Sequence, residues 1–330
     1  MKKIALEEAY VVPNVAQWTP QVNALPEFAL CRPFLEDFAD ERLRAMDEGE
    51  IEIAVLSPTT PGPQGFVDAT LEKTLSREWN EYVANAIAPN SDRLKAFAAL
   101  PMRDVDEAIE ELFYAVNELG LVGALLNGYD NAGENTNTPI YYDLPQYVDF
   151  WKAAADLDVP IYLHPRVVPP GRETTYKPYP ELMGAAWGFH VETAEHVLRI
   201  IMSGVFDKVP DLKLTIGHLG ELLPYWAWRI DHRFAKEGRR QQMAEAGRPI
   251  EHDVSYYIKK LFITTSGMFE TPGFRHVLEV MPLEQVMYSV DYPYETYVEA
   301  NEWWKTLDGE FSQEVLQAVG YDNAAKLLKL

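Results

Sequence analysis

Eight short apolar runs recur along the chain, at residues 3–7, 53–57, 94–100, 122–127, 160–164, 212–218, 261–265 and 286–291. Each is too short for a buried helix and rich in Ile, Val, Leu and Phe, as strands buried on both faces of a parallel sheet are. Longer segments between them, such as 104–119, 192–203 and 324–330, carry helical spacing, so the repeating unit is strand, loop, helix. That alternation predicts parallel strands joined by crossovers. Eight units close into an α/β fold, the (β/α)₈ TIM barrel, with chemistry expected at the C-terminal strand ends.

Length and composition fit one barrel domain over residues 1–330, since such barrels exceed 250 residues as single units and no Ser/Gly-rich linker breaks the rhythm. Hydrophobic residues make up 47% of the chain, enough for a sizeable core. No apolar stretch reaches spanning length, and the N-terminus enters a strand at once, which leaves no room for a signal peptide. The single cysteine, Cys31, cannot form an intrachain disulfide, so a cytoplasmic location is expected. A formal net charge of −22 argues against nucleic acid and anionic membranes as partners, because both need basic patches. An anionic substrate would have to find its positive charge locally.

Three stretches interrupt the alternation: 11–33, with Trp18, Phe28 and several prolines; 166–183, crowded with Pro and Tyr; and the polar 237–253. The first two follow strands that end in candidate ligands, so they are expected to form pocket walls. The third lies beyond a helix and suits an oligomer contact or plain surface.

Four strand edges carry ionisable residues. In Ala5-Leu6-Glu7-Glu8-Ala9 alternation puts Glu7 and Ala9 on one face and Glu8 on the other, which makes Glu7 the better ligand candidate. His164 closes the fifth run, where its imidazole can reach the axis; a hydrogen-bonded core histidine is the competing reading. In Gly217-His218-Leu219-Gly220-Glu221 the flanking glycines let His218 and Glu221 approach, as in a proton shuttle, or His218 merely caps a helix. Asp291 closes the eighth run, where a buried carboxylate needs a partner such as a cation, or it caps the next helix. Convergence of all four on one ring favours a metal site over each local alternative.

The motifs Ala5-Leu6-Glu7-Glu8-Ala9, Tyr162-Leu163-His164-Pro165, Gly217-His218-Leu219-Gly220-Glu221, Thr264-Thr265-Ser266-Gly267 and Ser289-Val290-Asp291-Tyr292-Pro293 resemble the amidohydrolase superfamily. Within it they look most like the non-oxidative hydroxybenzoate decarboxylases, which act on 2,3-dihydroxybenzoate, salicylate, γ-resorcylate or 5-carboxyvanillate. The resemblance implies a mononuclear divalent metal held by Glu7, His164 and Asp291, with His218 sometimes counted among the ligands. It also implies a His218–Glu221 catalytic pair, substrate contacts from Arg229 and Asn127, and commonly a homotetramer. Ala9 stands where the γ-resorcylate branch and many hydrolases have His; an oxygen-rich shell favours Mn²⁺ or Mg²⁺, with Zn²⁺ still open. Ala9 matches the 2,3-dihydroxybenzoate and 5-carboxyvanillate enzymes, whereas residues 141–147 and Asn127-Gly128 look like the γ-resorcylate branch, so the ring substitution pattern stays open.

The expected reaction is loss of carbon dioxide from a small aromatic carboxylate with an ortho hydroxyl. Asp291 protonates the ring carbon, His218 and Glu221 assist, Arg229 holds the anion, and Trp18 and Trp187 stack on the ring unless they are ordinary loop packing. Two rivals share the constellation: a metal-dependent hydrolase of a lactone, amide or ester, and an inactive barrel that binds aromatic ligands.

Overall fold

The computed structural model describes residues 1–13, 26–66, 68–131 and 138–330. The periodicity forms the expected parallel strands: β1 (Lys3–Tyr10), β2 (Ile51–Pro58), β3 (Leu94–Ala96), β4 (Ala124–Asn127), β5 (Ile161–His164), β6 (Leu214–Ile216), β7 (Phe262–Thr264) and β8 (Val286–Met287). They pair in parallel as β1-β2-β3 and as β8-β7-β6-β5-β4. Beyond the end of β3, Ala98 bridges Ala124, donating from its N–H to Gly123 O at 2.8 Å and accepting from Leu125 N–H at 3.1 Å. At the remaining edge Ala9 N–H donates to Tyr292 O at 2.6 Å. The chain is thus a (β/α)₈ TIM barrel.

Alternating side chains from around the ring, Ile4, Leu6, Ile53, Val55, Phe97, Leu125, Tyr162 and Met287, form one buried interior cluster. The last helix (Asn323–Leu328) adds Ala324, Leu327 and Leu328 to it. The opposite strand faces, including Ala54, Leu126, Ile161, Leu163, Ile216 and Ile263, join the larger core beneath the helices. A residue type buried on both faces therefore reads in sequence as a continuous apolar run. Among the described residues no helix is long and apolar enough to cross a membrane.

Several ladders are shorter than the apolar runs that predict them, because backbone groups near the mouth find other partners. In the eighth run, Tyr288 N–H donates to Val319 O at 2.9 Å and Ser289 N–H to Thr265 Oγ1 at 3.0 Å, which ends β8 at Met287. β1 departs from simple alternation: Ala5 pairs with Ala54 but Glu8 pairs with Leu56, so β1 carries one extra residue. Bulges of this kind re-aim side chains beside active sites. In their described parts the interrupting stretches hold a helix (Pro26–Leu35), two short 3₁₀ turns (Glu173–Tyr176 and Pro180–Leu182) and a helix (Arg239–Glu245).

Candidate metal centre and acid-base site

Glu7 is 1% exposed, and its two oxygens have different surroundings. Oε2 accepts a short hydrogen bond from the Tyr162 hydroxyl, which lies 2.7 Å from Thr264 Oγ1. Oε1 has no hydrogen-bond partner among the described residues and faces His164 Nε2 at 3.2 Å and His218 Nε2 at 3.9 Å. His218 Nε2 is in turn 3.6 Å from Asp291 Oδ2. Ligand atoms of Glu7, His218 and Asp291 lie within 4.8 Å of one another, and His164 joins through Glu7. Burial holds His164 below the ordinary histidine value, against the pull of Glu7, which leaves a neutral nitrogen donor. A buried carboxylate oxygen without a donor, ringed by imidazole nitrogens and a second carboxylate, fits a divalent cation.

The strand-to-helix connection after β6 brings His218 and Glu221 together. His218, Leu219, Glu221 and Leu222 all have positive φ, between +52° and +62°, and Gly220 has φ +83°. Such a run of left-handed non-glycine residues is costly and marks a functional turn. It sets His218 Nδ1 2.9 Å from Glu221 Oε1, with Glu221 itself 1% exposed. The helix Leu223–Glu237 begins only after this turn, so His218 does not cap it. Gly220 supplies the turn, whereas Gly217 has an ordinary φ of −86° and is required for space: a Cβ there would stand 2.4 Å from Glu7 Oε2. Burial opposes charge on His218, yet Glu221, Glu7 and Asp291 raise it well above the ordinary histidine value. Burial likewise raises Glu221, with His218 pulling it back.

Asp291 also sits at positive φ, +81°. It does not cap the next helix, Tyr297–Thr306, whose cap is Thr296. Burial pushes its carboxyl up to about 7, with Glu7 adding to the rise and His218 opposing it. The site therefore places a carboxyl that titrates near neutrality beside a charged imidazole, the pairing expected of acid-base chemistry.

The remaining expected contacts divide. Asn127 is buried at the end of β4; its Nδ2 donates to Pro58 O at 3.0 Å and its Oδ1 has no partner among the described residues. Trp187 is 47% exposed, edge-on to His190 with ring centroids 4.5 Å apart. Arg229 is exposed on the helix Leu223–Glu237 and makes no ion pair or hydrogen bond among the described residues. Trp18 lies outside the described residues. Ala9 is buried in the apolar core and offers no ligand. Sequence reasoning missed Tyr162, whose hydroxyl orients Glu7; its position two residues before His164, on the same strand face, was the available signal.

The family model described as "Amidohydrolase" matches residues 16–330. The chain is similar to the γ-resorcylate decarboxylase of Rhizobium sp. (strain MTP-10005), at 38% identity over 328 residues covering 99% of this chain and 98% of that protein. A 2,6-dihydroxybenzoate decarboxylase crystallised with 2,6-dihydroxybenzoate superposes with a TM-score of 0.92 at 37% identity, covering 100% of both chains. A dihydroxybenzoic acid decarboxylase from Polaromonas sp. JS666, crystallised with manganese and the inhibitor 2-nitroresorcinol, gives a TM-score of 0.92 at 36% identity, covering 100% of this chain and 97% of that one. With its family match over residues 16–330 and its end-to-end similarity to these decarboxylases, the chain belongs to the amidohydrolase family and, within it, to the hydroxybenzoate decarboxylase group.

Proposed function

We propose that this protein decarboxylates an ortho-hydroxybenzoate without redox chemistry, as a carbon–carbon lyase. The observation that carries the reading is the gathering of Glu7, His164, His218 and Asp291 in a chain that matches a 2,6-dihydroxybenzoate decarboxylase end to end. Glu7, His164 and Asp291, with His218 beside them, would hold one divalent cation, and the oxygen-rich set without an imidazole at Ala9 favours Mn²⁺ or Mg²⁺ over Zn²⁺. When bound, that cation would supply positive charge to an anionic substrate with neighbouring oxygens.

The chain's own residues handle the proton. Direct loss of carbon dioxide would leave an aryl anion, so the ring carbon bearing the carboxylate must be protonated first, helped by electron density from the ortho phenolate. Asp291 is the acid assigned to protonate it, loaded with that proton at Oδ2 from His218 rather than holding it beside the cation. The ring–carboxylate bond then breaks, its electron pair restores the aromatic ring, and carbon dioxide leaves. His218, kept charged by Glu221, returns a proton from Nε2 to Asp291 Oδ2 across 3.6 Å. Arg229 is assigned to the substrate carboxylate, Asn127 Oδ1 to a ring hydroxyl, and Trp187 to the ring face.

The test is a panel of hydroxybenzoates assayed by ultraviolet absorbance with the Mn²⁺-loaded protein. Turnover of 2,6-dihydroxybenzoate, 2,3-dihydroxybenzoate or salicylate is expected, with none of 4-hydroxybenzoate and none of simple lactones. Comparable turnover of 4-hydroxybenzoate would remove the neighbouring-oxygen grip, and lactone hydrolysis alone would favour the hydrolase.

All 330 residues are assigned to one barrel domain in the cytoplasm, in keeping with a chain whose one cysteine can form no intrachain disulfide. A homo-oligomer, the tetramer of the resemblance, is supported by Tyr225, Trp226 and Trp228, which are 69%, 49% and 71% exposed on one helix. Clustered exposed aromatics mark association surfaces. Sedimentation is expected to show an assembly at micromolar concentration, and a monomer there would refute the contact.

A further inference from the structure

We infer that Glu8 and Ser289 are positioning residues that fix the backbones of Glu7 and Asp291 from inside the barrel wall. The inference rests on the metal-centred reading of the site and adds two residues that touch neither substrate nor metal. The seam between β1 and the Ser289–Tyr292 segment is closed largely by side chains. The Ser289 hydroxyl oxygen accepts from Leu6 N–H at 3.1 Å and from Glu7 N–H at 2.7 Å. Both its lone pairs are thereby used, and its own proton goes to Glu8 Oε1 at 3.1 Å. Glu8 Oε1 also accepts from Val290 N–H at 3.1 Å, and Oε2 accepts from Tyr292 N–H at 3.1 Å.

Those last two donors flank Asp291. One carboxylate therefore pins the chain on both sides of a residue held at φ +81°, a conformation that persists only where the surroundings over-determine it. The same carboxylate, through one hydroxyl, reaches the N–H of Glu7. Both Glu8 and Ser289 are 0% exposed, so water does not compete for these bonds. The two consecutive glutamates serve one site from opposite faces of β1: Glu7 reaches the mouth while Glu8 enters the wall.

Every partner of Glu8 is a donor, which makes the carboxylate chemically specific. A glutamine would turn an NH₂ group toward either Tyr292 N–H or the Ser289 and Val290 donors, setting donor against donor at whichever end it occupied. Supporting groups that orient ligands typically contribute 10–100-fold to metal affinity or activity.

The test measures Mn²⁺ affinity of the metal-free, full-length protein by electron paramagnetic resonance titration, without substrate, for wild type, Glu8→Gln, Ser289→Ala and the double variant. Near-ultraviolet circular dichroism reports the fold. Expected are about 10- to 100-fold weaker Mn²⁺ binding in each single variant with native dichroism, and a double variant little worse than the weaker single one, because both act through one chain of bonds. With the assay substrate, kcat is expected to fall further than KM rises. If Glu8→Gln does not fold, Ser289→Ala carries the same test with a smaller perturbation. Affinities within twofold of wild type in a folded variant would overturn the inference while leaving the decarboxylase reading intact. Wild-type protein that binds Mn²⁺ yet releases no carbon dioxide from any hydroxybenzoate would defeat the functional reading alone, the affinities still deciding this one. Failure of the wild type to bind Mn²⁺ would overturn both.

Discussion

Asp291→Asn is expected to cut carbon dioxide release by about 10²- to 10⁴-fold, the range that a positioned general acid contributes. Asparagine keeps the shape and one oxygen of the aspartate but has no proton to give to carbon. It also tolerates positive φ about as well as aspartate does, so the backbone at +81° stays in place and the loss is chemical. The check is initial rate by ultraviolet absorbance, with manganese content measured on the same sample so that a lost ligand is not mistaken for a lost acid. A variant that retains its metal and more than a tenth of wild-type turnover would move the acid elsewhere. His218 is then the next group to test, since it carries a proton and lies 3.6 Å from Asp291.

The barrel and the ends of its strands were legible because two periodicities write them into the chain: buried runs of strand length, and helical spacing between them. Each edge that ends in Glu7, His164, His218 or Asp291 was ambiguous alone, and only the ring geometry made them one site. What escaped the pattern depends on contacts between distant segments. A period of two separates Glu7 from Glu8, but the extra residue in β1 exists only relative to β2, and the partners of Glu8 lie 281 to 284 residues away along the chain. The left-handed run from His218 to Leu222 is hidden for the same reason, since only Gly220 announces it in sequence. Gly217 looked like a hinge and proves to be a clearance for Glu7. Tyr162 carries no mark in the sequence beyond its place in a buried run, and it is the donor that turns Glu7 toward the centre. Arg229 rests on resemblance alone, because it lies on a helix beyond the strand ends, where neither periodicity marks a substrate contact.

Chelation at neutral pH is expected to end turnover, added Mn²⁺ to restore it, and the affinity of the metal-free protein for Mn²⁺ to depend on pH in a direction set by Asp291. Its carboxyl is raised from the ordinary carboxylate range to about 7, chiefly by burial. Below that value a proton occupies the oxygen that a cation needs, so each unit of acidification weakens binding by about tenfold; above it the dependence flattens. The same shift makes the metal-free fold bind a proton that the unfolded chain releases, so Asp291 stabilises that fold fully below the ordinary carboxyl range and ceases to do so as pH rises to about 7. A bound cation replaces the lost proton, and the stabilisation it confers should grow over the same interval. The slope carries further information. His218 is held charged by Glu221 at 2.9 Å, so it stays a proton carrier if one proton is released per metal, and it counts as a ligand only if two are. One is expected, read by calorimetry in buffers of different ionisation enthalpy. Binding that is flat from mildly acid to neutral pH would take Asp291 out of the ligand set, because no cation can share an oxygen with a proton it does not displace.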